Sequence, residues 1–274
     1  MDVSHIIDAL NPAQREAVCA ERGNYLILAG AGSGKTRVLT SRIAWLNQVF
    51  DVPLYRVLAV TFTNKAAAEM RSRIALLLPE GSRGMWAGTF HGIAHRLLRL
   101  HWQEAHLPEA FQVLDADDQL RMIKRVVQDL QLDDTRFPPK QLVWWINNHK
   151  DAGRRPSSIQ INIGDQFTRI QLQVYEEYEA RCQRSGLVDF AEILLRAHET
   201  LLKVPALLEH YQQRFSEILV DEFQDTNNVQ FAFIRLLAGQ NGCVFVVGDD
   251  DQSIYGWRGA QVENMQKFLR DYPN

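Results

Sequence analysis

Cysteine, net charge and long apolar runs are all scarce in this sequence. The three cysteines, Cys19, Cys182 and Cys243, lie far apart and in no metal-like spacing, which suits a reducing compartment and argues against a disulfide framework. The net charge is -3, so the chain has no overall attraction for a polyanion, and nucleic acid could bind only through local sites. No segment approaches about 18 uninterrupted apolar residues, and the N-terminus lacks the pattern of a secretory leader. We therefore expect a cytoplasmic protein with no membrane partner.

Short apolar runs and helical patterns alternate through the first 90 residues. The runs at 24–30, 56–62 and 85–90 have the composition of buried strands, and residues 34–48 and 64–78 have the pattern of helices. Strands that alternate with helices at this spacing form βαβ units around a parallel sheet.

The pattern changes at residue 91 to one helix after another and returns to strands after residue 214. The later helical patterns lie at 118–130, 169–183, 190–202, 228–239 and 260–272, and the later strand patterns at 217–222 and 242–250. We therefore predict an α/β protein with a parallel sheet, in which the sheet domain, residues 1–90 plus 215–274, is interrupted by an all-helical insertion, residues 91–214. The insertion is not basic, because it contains 16 Lys and Arg against 17 Asp and Glu.

A glycine-rich loop follows the first predicted strand. The stretch AGAGSGKT, residues 29–36, stands between a strand and a helix, which is the setting of a phosphate-binding P-loop. Glycines let the backbone turn its N–H groups inward toward phosphate oxygens, and the helix N-terminus adds its positive dipole end. Lys35 is expected to contact the β- and γ-phosphates, and the hydroxyl of Thr36 to bind Mg²⁺. The pattern predicts ATP and Mg²⁺ as ligands.

A second strand ends in carboxylates. In ILVDEFQDTNNVQ, residues 218–230, an apolar run is followed at once by Asp221 and Glu222, with Asp225 three positions later. Acidic loops after strands are common, but a P-loop nucleotide needs a carboxylate for Mg²⁺ on a neighbouring strand, and Asp221 fits that role. Glu222 fits the general base that deprotonates the attacking water.

A third strand end, in residues 246–260, repeats this acidic character. Gln252 is a candidate for sensing the γ-phosphate or ordering the attacking water. For Asp249, Asp250 and Asp251, capping and loop hydrogen bonds are an alternative to contact with the metal.

The motifs LNPAQREAV, AGAGSGKTR, TFTNKAAAEM, GTFHGIAHRLL, LVDFAEILLRA, LVDEFQDTNNVQ and VGDDDQSIYGWRGA, in this order, closely resemble the early motifs of superfamily 1 DNA helicases of the UvrD/Rep/PcrA type. The resemblance implies a RecA-like motor domain with an inserted helical subdomain, and a 3′ to 5′ ATP-dependent helicase or translocase of DNA repair or replication. It implies that Gln14 reads the adenine edge and that Arg37 lies near the base. The residues assigned to the nucleotide are then Gln14, Gly30, Ala31, Gly32, Ser33, Gly34, Lys35, Thr36 and Arg37.

The resemblance further implies that single-stranded DNA, and its junction with duplex, is a partner along the carboxyl edge of the sheet. Aromatic side chains beside cationic and amide groups form stacking platforms for bases. The residues assigned to DNA are Phe62, Thr63, Asn64, His91, Tyr255, Trp257 and Arg258. Core packing is the alternative for each aromatic residue, Phe90 above all. We interpret the pair Trp144 and Trp145 as helix packing.

The later motifs of the family have no counterpart before the sequence stops. We therefore expect the N-terminal part of a longer helicase, whose C-terminal motor domain is a partner within the same polypeptide. Two other hypotheses stay open. The first is a P-loop kinase or GTPase, which would need an acceptor site or a guanine-reading motif. The second is a non-catalytic, nucleotide-gated DNA-binding module, in which ATP would only change the affinity for DNA.

Overall fold

The computed structural model describes residues 2–30, 32–78, 81–162, 164–249 and 261–272. The chain divides into two compact units, which we call the sheet unit, Met1–Ile93 with Val204–Asn274, and the helical unit, Ala94–Lys203. The predicted insertion, residues 91–214, extends past the helical unit on both sides.

The described strands, in chain order, are β1 (Tyr25–Leu28), β2 (Val57–Thr61), β3 (Trp86–Thr89), β4 (Gln112–Val113), β5 (Leu187–Val188), β6 (Glu217–Val220) and β7 (Cys243–Gly248). The described helices are α1 (Ser4–Ile7), α2 (Pro12–Cys19), α3 (Lys35–Val49), α4 (Asn64–Leu77), α5 (Phe90–Leu100), α6 (Ala116–Asp129), α7 (Pro139–Asp151), α8 (Gln166–Ser185), α9 (Phe190–Lys203), α10 (Pro205–Arg214), α11 (Asn228–Ala238) and α12 (Gln261–Asp271). Short 3-10 turns lie at Leu54–Arg56, Pro156–Ser158 and Phe223–Asp225.

The sheet unit is built on five parallel strands in the order β1-β7-β6-β2-β3. The predicted parallel sheet is thus confirmed. Every residue of β2 and β6 is buried, which explains why all but Thr61 and Glu217 are apolar, since both faces of a parallel sheet are covered. Leu39 and Ile43 of α3 and Met70 of α4 belong to the core that contains Val57 and Leu219 of the sheet.

The parallel direction of the strands places the site. Because all five strands run the same way, the loops that follow them leave from one edge of the sheet. The P-loop, the acidic loop after β6 and the residue after β7 therefore meet, although more than a hundred residues separate the first from the others in sequence.

The helical unit has its own core between α6, α7 and α8, with Ile123, Ile146 and Tyr178 fully buried. It is not purely helical, because β4 and β5 form a short parallel pair that the sequence pattern did not predict. Two-residue strands are too short to show a periodicity.

Gly186 ends α8 with φ of 64°, and a Cβ there would lie 2.5 Å from Pro108 Cγ, so this position requires glycine.

Other differences from the sequence analysis are local. Trp145 packs as predicted, with ring centroids 6.2 Å from Tyr175, but Trp144 is 66% exposed, so the packing interpretation is wrong for it. Helix α10, which lay inside the predicted insertion, falls in the sheet unit, where Tyr211 contacts Trp86. In the part of the chain that the structure describes, no helix combines the length and apolar character needed to cross a bilayer.

Candidate functional site

The P-loop leaves β1 and folds back on itself before α3 begins. The Ala29 N–H still donates to Gly248 O of the neighbouring strand at 3.1 Å, and the Ser33 N–H donates to Gly30 O at 3.2 Å. Gly32 and Gly34 have φ of 75° and 84°, in the left-handed region that side chains other than glycine rarely adopt. The glycine pattern read from the sequence thus corresponds to a backbone need at these two positions. Ala31 lies outside the described residues.

Helix α3 begins without a side-chain cap among the described residues. Three helices of the same sheet unit are capped, α2 by Asn11, α4 by Thr63 and α11 by Asn227, whereas α1 and α10 are also without a side-chain cap. Without a cap, the first N–H groups of α3 keep their hydrogen-bonding capacity, and the helix dipole adds positive potential there. This N-terminus therefore fits an anionic ligand such as a phosphate group.

Lys35, the first residue of α3, bends its side chain back over the loop. Its Nζ donates to Ala29 O at 3.3 Å and lies 3.2 Å from Asp249 Oδ2, in a pair with both side chains about 10% exposed. For Asp249 we considered capping and loop hydrogen bonds or contact with the metal. The structure shows a further role, an ion pair with the P-loop lysine.

Thr36 and Asp221 are brought together from two different strand ends. The hydroxyl of Thr36 donates to Asp221 Oδ2 at 3.3 Å, and Asp221 is only 3% exposed. Burial, and then the charge of Glu222, raises the pKa of Asp221 above its ordinary value. A cation beside this carboxylate would therefore be favourable.

A divalent cation would need further ligands here. Within the described part of the chain, no three His, Cys, Asp or Glu side chains form a metal-binding group. Thr36 and Asp221 fit Mg²⁺ as a pair of oxygen ligands, because this ion usually takes only one or two carboxylates and completes its shell with substrate phosphates and water.

Glu222 follows Asp221 in an unusual backbone conformation. Its φ of 50° and ψ of 45° are left-handed, which is uncommon for a residue with a side chain and clusters at functional sites. Its carboxylate accepts a hydrogen bond of 2.6 Å from Gln224 Nε2. Asp225, the third carboxylate of the motif, is exposed and lies in the 3-10 turn that follows.

Sequence reasoning missed Gln224. This side chain is 2% exposed and connects Glu222 to the backbone of Asp249. The signal in the sequence was an amide residue among carboxylates directly after a buried strand, but nothing in the sequence states which groups it joins.

Gln14 contacts the P-loop just before α3, and Arg37 lies in the first turn of α3. Gln14 forms a reciprocal capping box with Asn11, and its Nε2 donates to Ser33 O at 2.7 Å. A Cβ on Gly34 would lie 2.8 Å from Gln14 Nε2, so glycine at 34 also leaves room for this amide. Arg37 is exposed, and its Nη1 donates to Ala9 O at 3.4 Å. Their contact with a base remains a prediction.

The described DNA candidates lie at the ends of two neighbouring strands, β2 and β3. Phe62 is half-buried and packs edge-on against Phe90, with ring centroids 5.4 Å apart. Thr63 and Asn64 are exposed, and the Thr63 hydroxyl accepts from the Ala66 N–H at the start of α4. Phe90 is 1% exposed, which confirms the alternative of core packing for that residue.

His91 occupies the first turn of α5 and is half-buried. Burial lowers its pKa to about 4, so the ring is neutral near pH 7. A contact with DNA through His91 would therefore use stacking or a neutral hydrogen bond instead of charge. Gln252, Tyr255, Trp257 and Arg258 lie outside the described residues, as do Asp250 and Asp251.

Comparison of the sequence with known proteins finds one matching family and several relatives. The UvrD/REP helicase N-terminal domain family matches residues 10–273. The chain is 60% identical over 273 residues to DNA helicase II of Escherichia coli (strain K12), covering 100% of this chain and 38% of that protein. It is 43% identical over 275 residues to the ATP-dependent DNA helicase PcrA of Leuconostoc citreum, covering 100% of this chain and 37% of that protein. The chain thus spans less than two-fifths of the length of these relatives.

Proposed function

Because the chain belongs to the UvrD/REP helicase N-terminal domain family, we propose that it is the first motor domain of an ATP-dependent DNA helicase. One observation carries the proposal: three separate strand ends bring a P-loop lysine, a hydroxyl and two adjacent carboxylates to one edge of the sheet. Lys35 reaches the residue after β7, and Thr36 reaches Asp221 after β6. This arrangement supports phosphoryl transfer from ATP to water.

The P-loop and the start of α3 hold the phosphates of ATP in this proposal. The glycines with positive φ and the uncapped helix N-terminus present N–H groups to the phosphates. Lys35 adds a positive charge, and its ammonium group leaves Asp249 to contact the phosphate oxygens when ATP binds. Gln14 reads the adenine edge from α2, and Arg37 lies near the base. The hydrogen bond from Gln14 to Ser33 O supports this, because it keeps the amide next to the loop.

Thr36 and Asp221 hold Mg²⁺ in the same proposal. Mg²⁺ held there would supply positive charge that offsets the negative charge developing on the phosphate oxygens. The raised pKa of Asp221 supports the assignment, since the charge of this carboxylate lacks sufficient compensation within the protein.

Glu222 acts as the general base. A base must hold the attacking water and accept its proton, and Glu222 is adjacent to Asp221 yet more accessible than it. We assign Gln252 as the sensor of the γ-phosphate, because it follows the acidic end of the last strand in the sequence.

Single-stranded DNA passes the carboxyl edge of the sheet in our proposal, at Phe62, Thr63, Asn64 and His91. Their position at the ends of adjacent strands supports one continuous contact. We assign Tyr255, Trp257 and Arg258 to the same contact, because the motif in which they lie resembles that of the helicases. The helicase activity also requires a second motor domain as partner, and we propose 3′ to 5′ movement toward junctions with duplex, in DNA repair or replication in the cytoplasm.

The test of the base is ATP turnover, with and without single-stranded DNA, on a form that carries the second motor domain. We expect Glu222→Gln to retain ATP binding and to lose about 10²–10⁴ of the turnover, because only proton acceptance is removed. Lys35→Ala should weaken nucleotide binding itself, since the phosphate contact is lost.

Glu69→Gln is the matched control, because it makes the same chemical change at an exposed position of α4, where the carboxylate pairs with Arg73. It should leave turnover and binding unchanged. Unaltered turnover in Glu222→Gln would exclude the assigned base and would favour a different mechanism or a nucleotide-gated binding module.

A further inference from the structure

Gln224 bridges two strand ends of the site with one side chain. Its Nε2 donates to Glu222 Oε2 at 2.6 Å, and its Oε1 accepts from the Asp249 N–H at 3.0 Å. The two partners fix the orientation of the amide, because a carboxylate can only accept and a backbone N–H can only donate. The amide is therefore held at both ends.

The surroundings of Gln224 leave it little freedom to move. The residue is 2% exposed, and a Cβ on Gly248 would lie 3.3 Å from Gln224 Oε1 and 3.1 Å from Met265 Cε. The neighbouring Phe223 is fully buried against Phe268. A side chain packed this closely keeps its hydrogen bonds in one geometry.

The bridge extends a chain of contacts from Glu222 to the P-loop. Asp249, whose N–H binds Gln224, contacts Lys35 Nζ through its carboxylate at 3.2 Å. Glu222 itself stands in a left-handed backbone conformation and is only half-buried, so its backbone alone does not hold the carboxylate in one direction.

We propose that Gln224 is a positioning residue for hydrolysis, which holds the Glu222 carboxylate in place by anchoring it to the backbone after β7. The inference rests on the proposed role of Glu222 as general base. Gln224 contacts neither nucleotide nor water in this role. It acts through Glu222, because a base displaced by about 1 Å can cost on the order of 10²-fold in rate.

The first experiment measures kcat, KM and nucleotide binding for Gln224→Met in a form that carries the second motor domain. Met has a similar length and no hydrogen-bonding amide. We expect kcat to fall about 10–100-fold while ATP affinity stays within about twofold, because the P-loop contacts are intact.

Gln230→Met is the matched control. Gln230 is also buried, at 6% exposed, and lies six positions away. Its amide oxygen accepts from the Asn227 N–H in the capping box of α11. Its replacement should lower thermal stability without lowering kcat, so a general loss of packing near the site is distinguished from loss of the bridge.

The decisive experiment is a double-mutant cycle in single turnover, with Gln224→Met made in the wild type and in Glu222→Gln. If Gln224 acts through Glu222, its replacement should slow the wild type about 10–100-fold and change the Glu222→Gln rate by less than about twofold. Equal effects in both backgrounds would overturn the proposal, because the role of Gln224 would then be structural.

If Gln224→Met does not fold, Gln224→Asn replaces it in the experiment. Asparagine keeps the amide but is too short to contact both Glu222 and the Asp249 N–H. We expect the same loss of kcat. Normal kcat in a folded Gln224 variant would also overturn the proposal. If Glu222→Gln is slow and the Gln224 variants are normal, only the positioning role fails. If Glu222→Gln itself is normal, the proposed base fails first.

Discussion

The two units both bury charged side chains, but they differ in how the charges are paired. In the helical unit, Lys150 is 1% exposed and contacts Asp189 at 2.6 Å and Glu192 at 3.0 Å. Glu192 is also paired with Arg155 at 2.8 Å and Arg196 at 2.7 Å. At the edge of the sheet, by contrast, Lys35 contacts Asp249 at 3.2 Å instead of Asp221.

The difference appears in the pKa values. Burial alone would raise the pKa of Glu192, yet Lys150 and Arg155 lower it below its ordinary range. Burial raises the pKa of Asp221, and Glu222 raises it further, against weaker opposing contacts from Thr36 and Lys35. Two buried carboxylates thus shift in opposite directions because, within the described residues, Glu192 contacts cations and Asp221 does not. The paired cluster stabilises the fold, and the unpaired one is suited to a cationic ligand.

The largest effect should follow from breaking the paired cluster. Lys150→Met should lower the free energy of unfolding by about 3–5 kcal/mol, because Asp189 and Glu192 would remain buried without their cation. Urea denaturation measures this. Lys203→Met is the control, since Lys203 lies on α9 and its contact with Glu199 is exposed and 3.9 Å long. Similar losses of stability in both variants would contradict the view that the buried ion pairs of Lys150 stabilise the fold.

Acid should act on the same cluster with a definite sign. The folded-state pKa of Glu192 lies below its ordinary 4.5, so its contribution to stability is present above pH 4.5 and is lost as the pH falls further. The slope from this group can reach about 1.4 kcal/mol per pH unit. Denaturation of the wild type and of Glu192→Gln between pH 6 and 3 should show the smaller slope in the variant, and equal slopes would exclude Glu192 as a contributor.

The smallest effect should come from the unpaired carboxylate, and its sign should be opposite. A folded-state pKa above the ordinary 3.8 means that ionised Asp221 reduces stability as the pH rises through that range. Asp221→Asn should therefore raise Tm by about 2 °C without nucleotide or Mg²⁺, and lose the gain in Tm that Mg-ATP gives the wild type. A lower Tm of the variant in the absence of ligands would show that the protein itself compensates the charge of the Asp221 carboxylate.

Much of the fold was readable from the sequence, because its evidence is local. Apolar runs of six to nine residues predicted the strands at β1, β2, β3, β6 and β7, which are four to six residues long. The positions of the P-loop and of Asp221 at strand ends followed from the same runs, and parallel strands then required these ends to share one edge. Glycine at 32 and 34 stands where the backbone is left-handed, so a conformational need was visible as residue type.

What the sequence by itself determined was therefore the order of strands and helices, and the residue types placed at each strand end. Only the tertiary structure decided which of these residues touch: Lys35 with Asp249, Gln224 with Glu222, and Lys150 with Asp189. It likewise decided that Glu222 adopts a left-handed backbone and that Trp144 stays exposed. The physical reason is that periodicity reports the burial of a face, whereas the partner of a charged or amide group depends on side-chain positions set by packing between elements distant in sequence.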